Sequence, residues 1–332
     1  MNPLKHFVVD ASAIKTIGKD LKRPECILAE RDGSIWTADA RGGLVHLLPN
    51  GEQTLVLPKD AAQPGASDGL TSGSLPNGLA FDKQGNVIIA NIGTDKVEML
   101  TRKGDLSVLL DRIDGKPMGK VNFVLRDRKD RLWVTVSTCV NPWPNAIRNN
   151  LADGYIVLID ERGARVVADG LAFTNEVRLD AREEFLYVAE TTGKRVSRFR
   201  VLDDGTLGPR ETYGPSDLGV GLIDGIAFDA YGNLWCAMIF SDRIVAIEPN
   251  GDVLTLMDDG DKDATARFEA AFATGEVVPG DVMGATGGNI ATWITSVTFG
   301  GPDLKTVYLG SLKKSYVPYF ESPVAGLPMV HW

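Results

Sequence analysis

One layout recurs six times along the chain at a spacing of about 45 to 55 residues, which confines the fold to a repeat architecture. Its plainest copy is SLPNGLAFDKQGNVIIAN, residues 74–91. There Asn77 stands at the mouth of a short apolar strand (79–81), the turn Asp82-Lys83-Gln84-Gly85 follows, and a second strand covers 87–90. RPECILAERDGSIWTADA puts Glu25 at the same place, GKVNFVLRDRKDRLWVTVS puts Asn122, AFTNEVRLDAREEFLYVAE puts Asn175, and LIDGIAFDAYGNLWCAMIF puts Asp224. A weaker sixth copy, WITSVTFGGPDLKTVYLGS, offers Thr295 or Ser296.

Two more short strands lie between successive copies, as in LVHLLPNGEQTLVL and KVEMLTRKGDLSVLL, joined by Asn-Gly and Lys-Gly-Asp turns. Gly and Asn accept the positive φ that tight hairpins need. Four antiparallel strands per unit, six units and no long helical periodicity predict an all-β, six-bladed β-propeller, a single domain over residues 1–332. The sixth unit is short of a fourth strand, and the segment 11–19 is expected to supply it, closing the ring and removing its open edges. Two stretches break the period, 138–154 and 258–292; both are expected to be cap loops over one face, the second with a small helix at ATARFEAAFATG.

Net charge of −9, with 44 acidic against 35 basic residues and no Lys/Arg cluster, argues against a nucleic-acid partner. No apolar run approaches the ~18 residues of a membrane span, and the N-terminus lacks a signal-peptide core, so no membrane partner and a soluble, cytoplasmic location are expected. Cys26, Cys139 and Cys236 have no CxxC spacing and are expected to be buried free thiols. The expected partner is a small-molecule substrate, and the oligomeric state is left open between monomer and dimer.

In a propeller the innermost strand of each blade lines a central channel, and equivalent positions share one height on its axis. Glu25, Asn77, Asn122, Asn175 and Asp224 are thus expected to converge. Two carboxylates and several amides, with no Cys or His, are hard oxygen donors suited to Ca²⁺, Mg²⁺ or Mn²⁺. A polar channel holding only ordered water would give the same pattern.

The chain resembles the family of regucalcin (senescence marker protein), gluconolactonase and luciferin-regenerating enzyme over nearly its whole length from Arg23. The resemblance is carried by Pro24-Glu25, by Asn122 followed by Asp130-Arg131-Leu132-Trp133, by Asn175 with Asp180 and Leu186-Tyr187-Val188, and by Asp224-Gly225-Ile226-Ala227 leading to Gly232-Asn233-Leu234-Trp235. It implies one divalent ion held by Glu25, Asn175 and Asp224, with Asn122 near metal and substrate and Asn77 facing the pocket without touching the ion. Ca²⁺ is the first choice, with Mn²⁺, Zn²⁺ or Mg²⁺ as alternatives. Two departures stand out: Lys120-Val121-Asn122-Phe123 replaces the Arg-x-Asn-Asp of gluconolactonase-like members, and Asn175-Glu176 replaces Asn-Gly.

A metal-dependent hydrolase opening a lactone is therefore expected, with a polarised carbonyl, an activated water and Asp224 as the catalytic carboxylate. Lys120 is a candidate substrate contact, and Phe123, Trp143 and Trp293 a candidate apolar wall. His6, His46 and His331 lie away from the strand mouths and no Gly-x-Ser-x-Gly elbow is present, which disfavours a serine triad. The rival readings are hydrolysis of another ester, phosphoester or carbon–carbon bond at the same metal, and a non-enzymatic calcium-binding scaffold.

Overall fold

The structure is a computed structural model that describes residues 2–59 and 67–332. Six four-stranded antiparallel sheets form the blades of a propeller. Their innermost strands are Ile27–Ala29, Pro76–Phe81, Val121–Arg126, Thr174–Leu179, Leu222–Phe228 and Ile294–Gly300. Each blade is a meander in chain order except the sixth. There Lys15–Ile17 pairs antiparallel with Val317–Glu321, Lys15 opposite Tyr319, so the N-terminal segment supplies the fourth strand as predicted.

The inner and second strands are buried almost throughout, because blades pack face to face through alternating apolar side chains such as Leu79, Phe123, Leu125 and Val177. Close approach near the axis is permitted by glycine. A Cβ on Gly225 would lie 2.4 Å from the Thr295 carbonyl oxygen of the next blade.

Acidic side chains in the turns between inner and second strands fasten these hairpins. Asp229 is buried; its Oδ1 accepts the backbone N–H of Tyr231, Gly232 and Asn233, while Oδ2 accepts from Asn233 Nδ2 (2.7 Å) and Trp235 Nε1 (3.0 Å). Asp127 serves Trp133 and Arg131 in the third blade, and Glu30 serves Trp36 in the first. Asp229→Ala would strand several buried donors, so a loss on the order of 3 kcal/mol is expected in urea unfolding, with the m-value unchanged.

Residues 138–154 contain a 3₁₀ turn, Trp143–Ala146. Residues 258–292 contain two helices, Lys262–Ala273 and Gly280–Ala285. The first helix fits the spacing noted in the sequence: Asp261 caps it by accepting the Ala264 N–H, and Phe268 and Phe272 share its buried face. The second, at six residues, is too short to show a period. The two insertions are joined, Val278 N–H donating to the Ile147 carbonyl (3.1 Å) and Asn149 Nδ2 to that of Phe272 (3.1 Å). Cys26 and Cys236 are buried free thiols, but Cys139 is exposed, because it lies past the end of its strand at the start of the first insertion. Among the described residues no helix is long and apolar enough to cross a membrane.

Candidate metal centre and its pocket

Equivalent positions of the blades share a height, and irregularities in the inner strands aim their side chains. Pairing with the second strand slips at Asn77-Gly78, Asn122, Asn175-Glu176, Asp224-Gly225 and Thr295-Ser296. A bulge places an unpaired residue in the strand and re-aims its side chain. In five blades it falls at the mouth residue, and in the first blade Glu25 lies just ahead of Ile27–Ala29.

One pocket, with about 420 Å³ of space including its solvent mouth, is lined by Glu25, Asn77, Asn122, Asn175 and Asp224 together with Arg23. Asn77 is fully engaged. Its Oδ1 accepts from Arg23 (2.7 Å), and its Nδ2 donates to Glu25 Oε1 (3.2 Å) and to the Asn122 carbonyl (3.0 Å). Asn175 Nδ2 donates to Thr191 (3.0 Å), which turns its Oδ1 the other way. The sixth blade contributes no carboxylate or amide; Thr295 and Ser296 each donate 2.8 Å bonds to the Glu25 carbonyl and so pin that residue.

Three acceptors are left buried and without a partner: Glu25 Oε2, Asn122 Oδ1 and Asn175 Oδ1. Unpaired buried oxygens are costly, and three in one pocket beside Asp224 match the donor set of a hard divalent cation. The chemistry of the ring fits such an ion. Among the described residues no three His, Cys, Asp or Glu side chains form a metal-holding cluster. A cation held here would need the amide oxygens of Asn122 and Asn175 besides the two carboxylates.

Burial pushes the Glu25 carboxyl up to about 8, opposed by Arg23 and reinforced by Glu176. Burial and then the neighbouring Glu25 and Glu176 raise Asp224 well above the usual carboxylate range, with the Asn175 amide and Arg23 opposing. Glu176, which stands where the resembling family carries Gly, is also raised by burial; Arg178 lowers it from 2.7 Å, and the Ile226 N–H donates to it at 3.2 Å. Burial thus disfavours the charged form of each of these carboxylates, and opposite charge nearby favours it.

Of the predicted flanking residues, Trp143 lines the pocket and donates its Nε1–H to the Leu70 carbonyl (2.8 Å). Three others stand elsewhere. Lys120 is buried and held by Asp95 at 3.0 Å. Phe123, one residue past the bulge, drops into the next layer of the channel. It stacks under the Arg178 guanidinium (4.6 Å) and lines a crevice that the C-terminal residues 327–332 border. Trp293 sits behind the wall, its ring against Phe240 (5.2 Å) and its Nε1–H on Thr286. The pocket wall also holds residues the sequence reading missed: Ile92, Ile147, Phe173, Phe240 and Leu312, besides Arg23 in the floor. Arg23 and Phe173 each precede a mouth residue by two positions, the register signal that could have found them.

Comparison with known proteins agrees with the propeller fold. The family model described as "SMP-30/Gluconolactonase/LRE-like region" matches residues 23–267. The chain is 24% identical over 301 residues to a 6-deoxy-6-sulfogluconolactonase of Pseudomonas putida, covering 88% of this chain and 84% of that one. A gluconolactonase structure from Xanthomonas campestris superimposes with a TM-score of 0.66 at 16% identity, covering 96% of this chain and 94% of that one. For the calcium-binding regucalcin of Agrobacterium tumefaciens the TM-score is 0.65 at 15% identity, with 94% and 95% covered. At these identities the structural likenesses speak to the fold alone.

Proposed function

The chain belongs to the SMP-30/gluconolactonase/LRE-like family, and from that premise we propose that it is a metal-dependent hydrolase that opens a lactone with water. The observation that carries this reading is the trio of unpaired buried oxygens, Glu25 Oε2, Asn122 Oδ1 and Asn175 Oδ1, in one pocket with Asp224. Glu25, Asn175 and Asp224 are the proposed ligands, with Asn122 serving ion and substrate, and Ca²⁺ the first choice because every donor is oxygen. The 6-deoxy-6-sulfogluconolactonase relative supports the reaction class.

When bound, a divalent cation polarises the lactone carbonyl and acidifies a nearby water. The chain's own residues do the rest. Asp224 takes one proton from the attacking water as the water oxygen bonds to the carbonyl carbon. It returns that proton to the ring oxygen as the carbon–oxygen bond of the ring breaks, leaving a hydroxy acid. Arg23 and Asn77 hold the Glu25 carboxylate in place from one side, and Thr295 and Ser296 fix its backbone from the other. The apolar wall keeps bulk water from the carbonyl, which strengthens the electrostatic contribution of the floor.

The test is a lactone screen of chelator-treated protein, with Ca²⁺, Mn²⁺, Zn²⁺ and Mg²⁺ each added back. Hydrolysis is expected only with added metal, suppressed at least about 100-fold by chelator. Undiminished hydrolysis after chelation would sink the metal-dependent reading.

A further inference from the structure

Above its polar floor the pocket is apolar all round. Ile92 follows the second strand of the second blade, Ile147 comes from the first insertion, Phe173 precedes the fourth inner strand, Phe240 follows the fifth blade's second strand, and Leu312 follows the sixth blade's second strand. With Trp143 they form a collar fed by five of the six blades. Of the two threonines lining the pocket, Thr295 donates its hydroxyl to the Glu25 carbonyl and Thr191 accepts from Asn175 Nδ2 beside the floor.

Part of the floor is already engaged within the protein. Both ends of the Asn77 amide are used, and Arg23 spends its terminal nitrogens on the Pro76 carbonyl (3.1 Å) and Asn77. The Asn175 amide donates to Thr191, and the acceptors left over are those that fit the cation. Arg23 Nε is the one unpaired nitrogen donor buried in this floor. A polyhydroxylated ring would have to press several hydroxyls against Ile92, Ile147, Phe173, Phe240 and Leu312, none of which has a side-chain hydrogen-bonding group, and a site that leaves such groups unpaired rejects them.

The collar is also held rigidly. Phe240 stacks on Phe268 of the helix Lys262–Ala273 (4.6 Å) and meets Trp293 edge-on, while Trp143 meets Phe173 edge-on (6.1 Å). Phe173 and Phe240 both adopt left-handed backbone, φ 55° and 67°, a conformation that bulky side chains avoid and that clusters where a site demands it. Both period-breaking insertions serve this collar, one lining it and the other bracing it.

We infer that the substrate is a lactone with an apolar body, alkyl- or aryl-substituted, whose ester end meets the floor while its body fills the collar, rather than a sugar lactone. This rests on the hydrolase reading above. The experiment compares metal-loaded protein on δ-decalactone and dihydrocoumarin against D-glucono-1,5-lactone. It adds calorimetric binding of two unreactive analogues, δ-decanolactam and gluconolactam. The expected kcat/KM is at least about 100-fold higher on the apolar lactones, and the apolar lactam should bind tighter. Phe240→Asn and Phe173→Asn, which keep a residue tolerant of left-handed backbone, should each cut that preference about tenfold by adding a hydrogen-bonding group. Equal or reversed preference in turnover overturns the inference while leaving the hydrolase reading intact. If no lactone of either kind is hydrolysed the hydrolase reading fails, and the two lactams still decide which body the collar accepts.

Discussion

Asp224→Asn is expected to lower kcat about 10³-fold on any lactone the wild type hydrolyses, and Glu25→Gln to lower it comparably by weakening hold of the ion. The reasoning is specific to the environment of these groups. Asp224 is buried beside Glu25, Glu176 and Arg23, and among the described residues the pocket lining holds no His or Cys that could replace it as a proton acceptor. An amide keeps the shape and one oxygen but accepts no proton at neutral pH. Damage to the fold would give the same loss of activity, and thermal unfolding separates the two. Replacing either raised carboxyl with a neutral amide removes the cost of ionising a group that is buried and, to a lesser degree, faces like charge, so the metal-free variants should melt no lower than metal-free wild type at pH 8. A variant that is both inactive and markedly less stable would attribute the loss to folding instead.

The second large effect is a coupling between cation and proton. In the metal-free folded state Glu25 holds its proton up to about pH 8, against an ordinary value of 4.5, and Asp224 is raised as well. Between those limits the folded protein binds more protons than the unfolded chain, so stability of the metal-free protein falls as pH rises from about 4.5 to 8. A cation must displace the same protons. Its affinity should therefore rise with pH through that window, about tenfold per pH unit for each proton released, and level off above it. Calorimetry of Ca²⁺ or Mn²⁺ binding at pH 6, 7 and 8, in buffers of different ionisation enthalpy, measures both the affinity and the protons released. A pH-independent affinity would mean the carboxylates are ionised before the ion arrives.

The ring of blades was legible because repetition is a property of sequence: six polar mouths before six apolar strands need no tertiary knowledge to find. Their gathering in one pocket was likewise readable, since equivalent positions must share a height. What the sequence hides is anything set by one local backbone choice. Phe123 follows a mouth residue directly, and the pairing slip at Asn122 sends it down the channel to Arg178 instead of into the pocket. Lys120 meets Asp95, a partner 25 positions earlier that no spacing rule links to it. The collar residues Phe173 and Phe240 face the pocket through left-handed turns, and phenylalanine is among the last residues from which such a turn would be read. Trp143 and Trp293 were both expected in the apolar wall; the first lines the pocket and the second supports Phe240 from behind.

Crystals grown after chelation and soaked in Mn²⁺ test the central claim, that this ring is a metal centre. An anomalous peak is expected on the channel axis, about 2.1–2.6 Å from oxygens of Glu25, Asn175 and Asp224, with Asn122 Oδ1 facing it. A fully soaked crystal with no peak there, its Glu25 and Asn175 oxygens bonded to ordered water alone, would contradict the account.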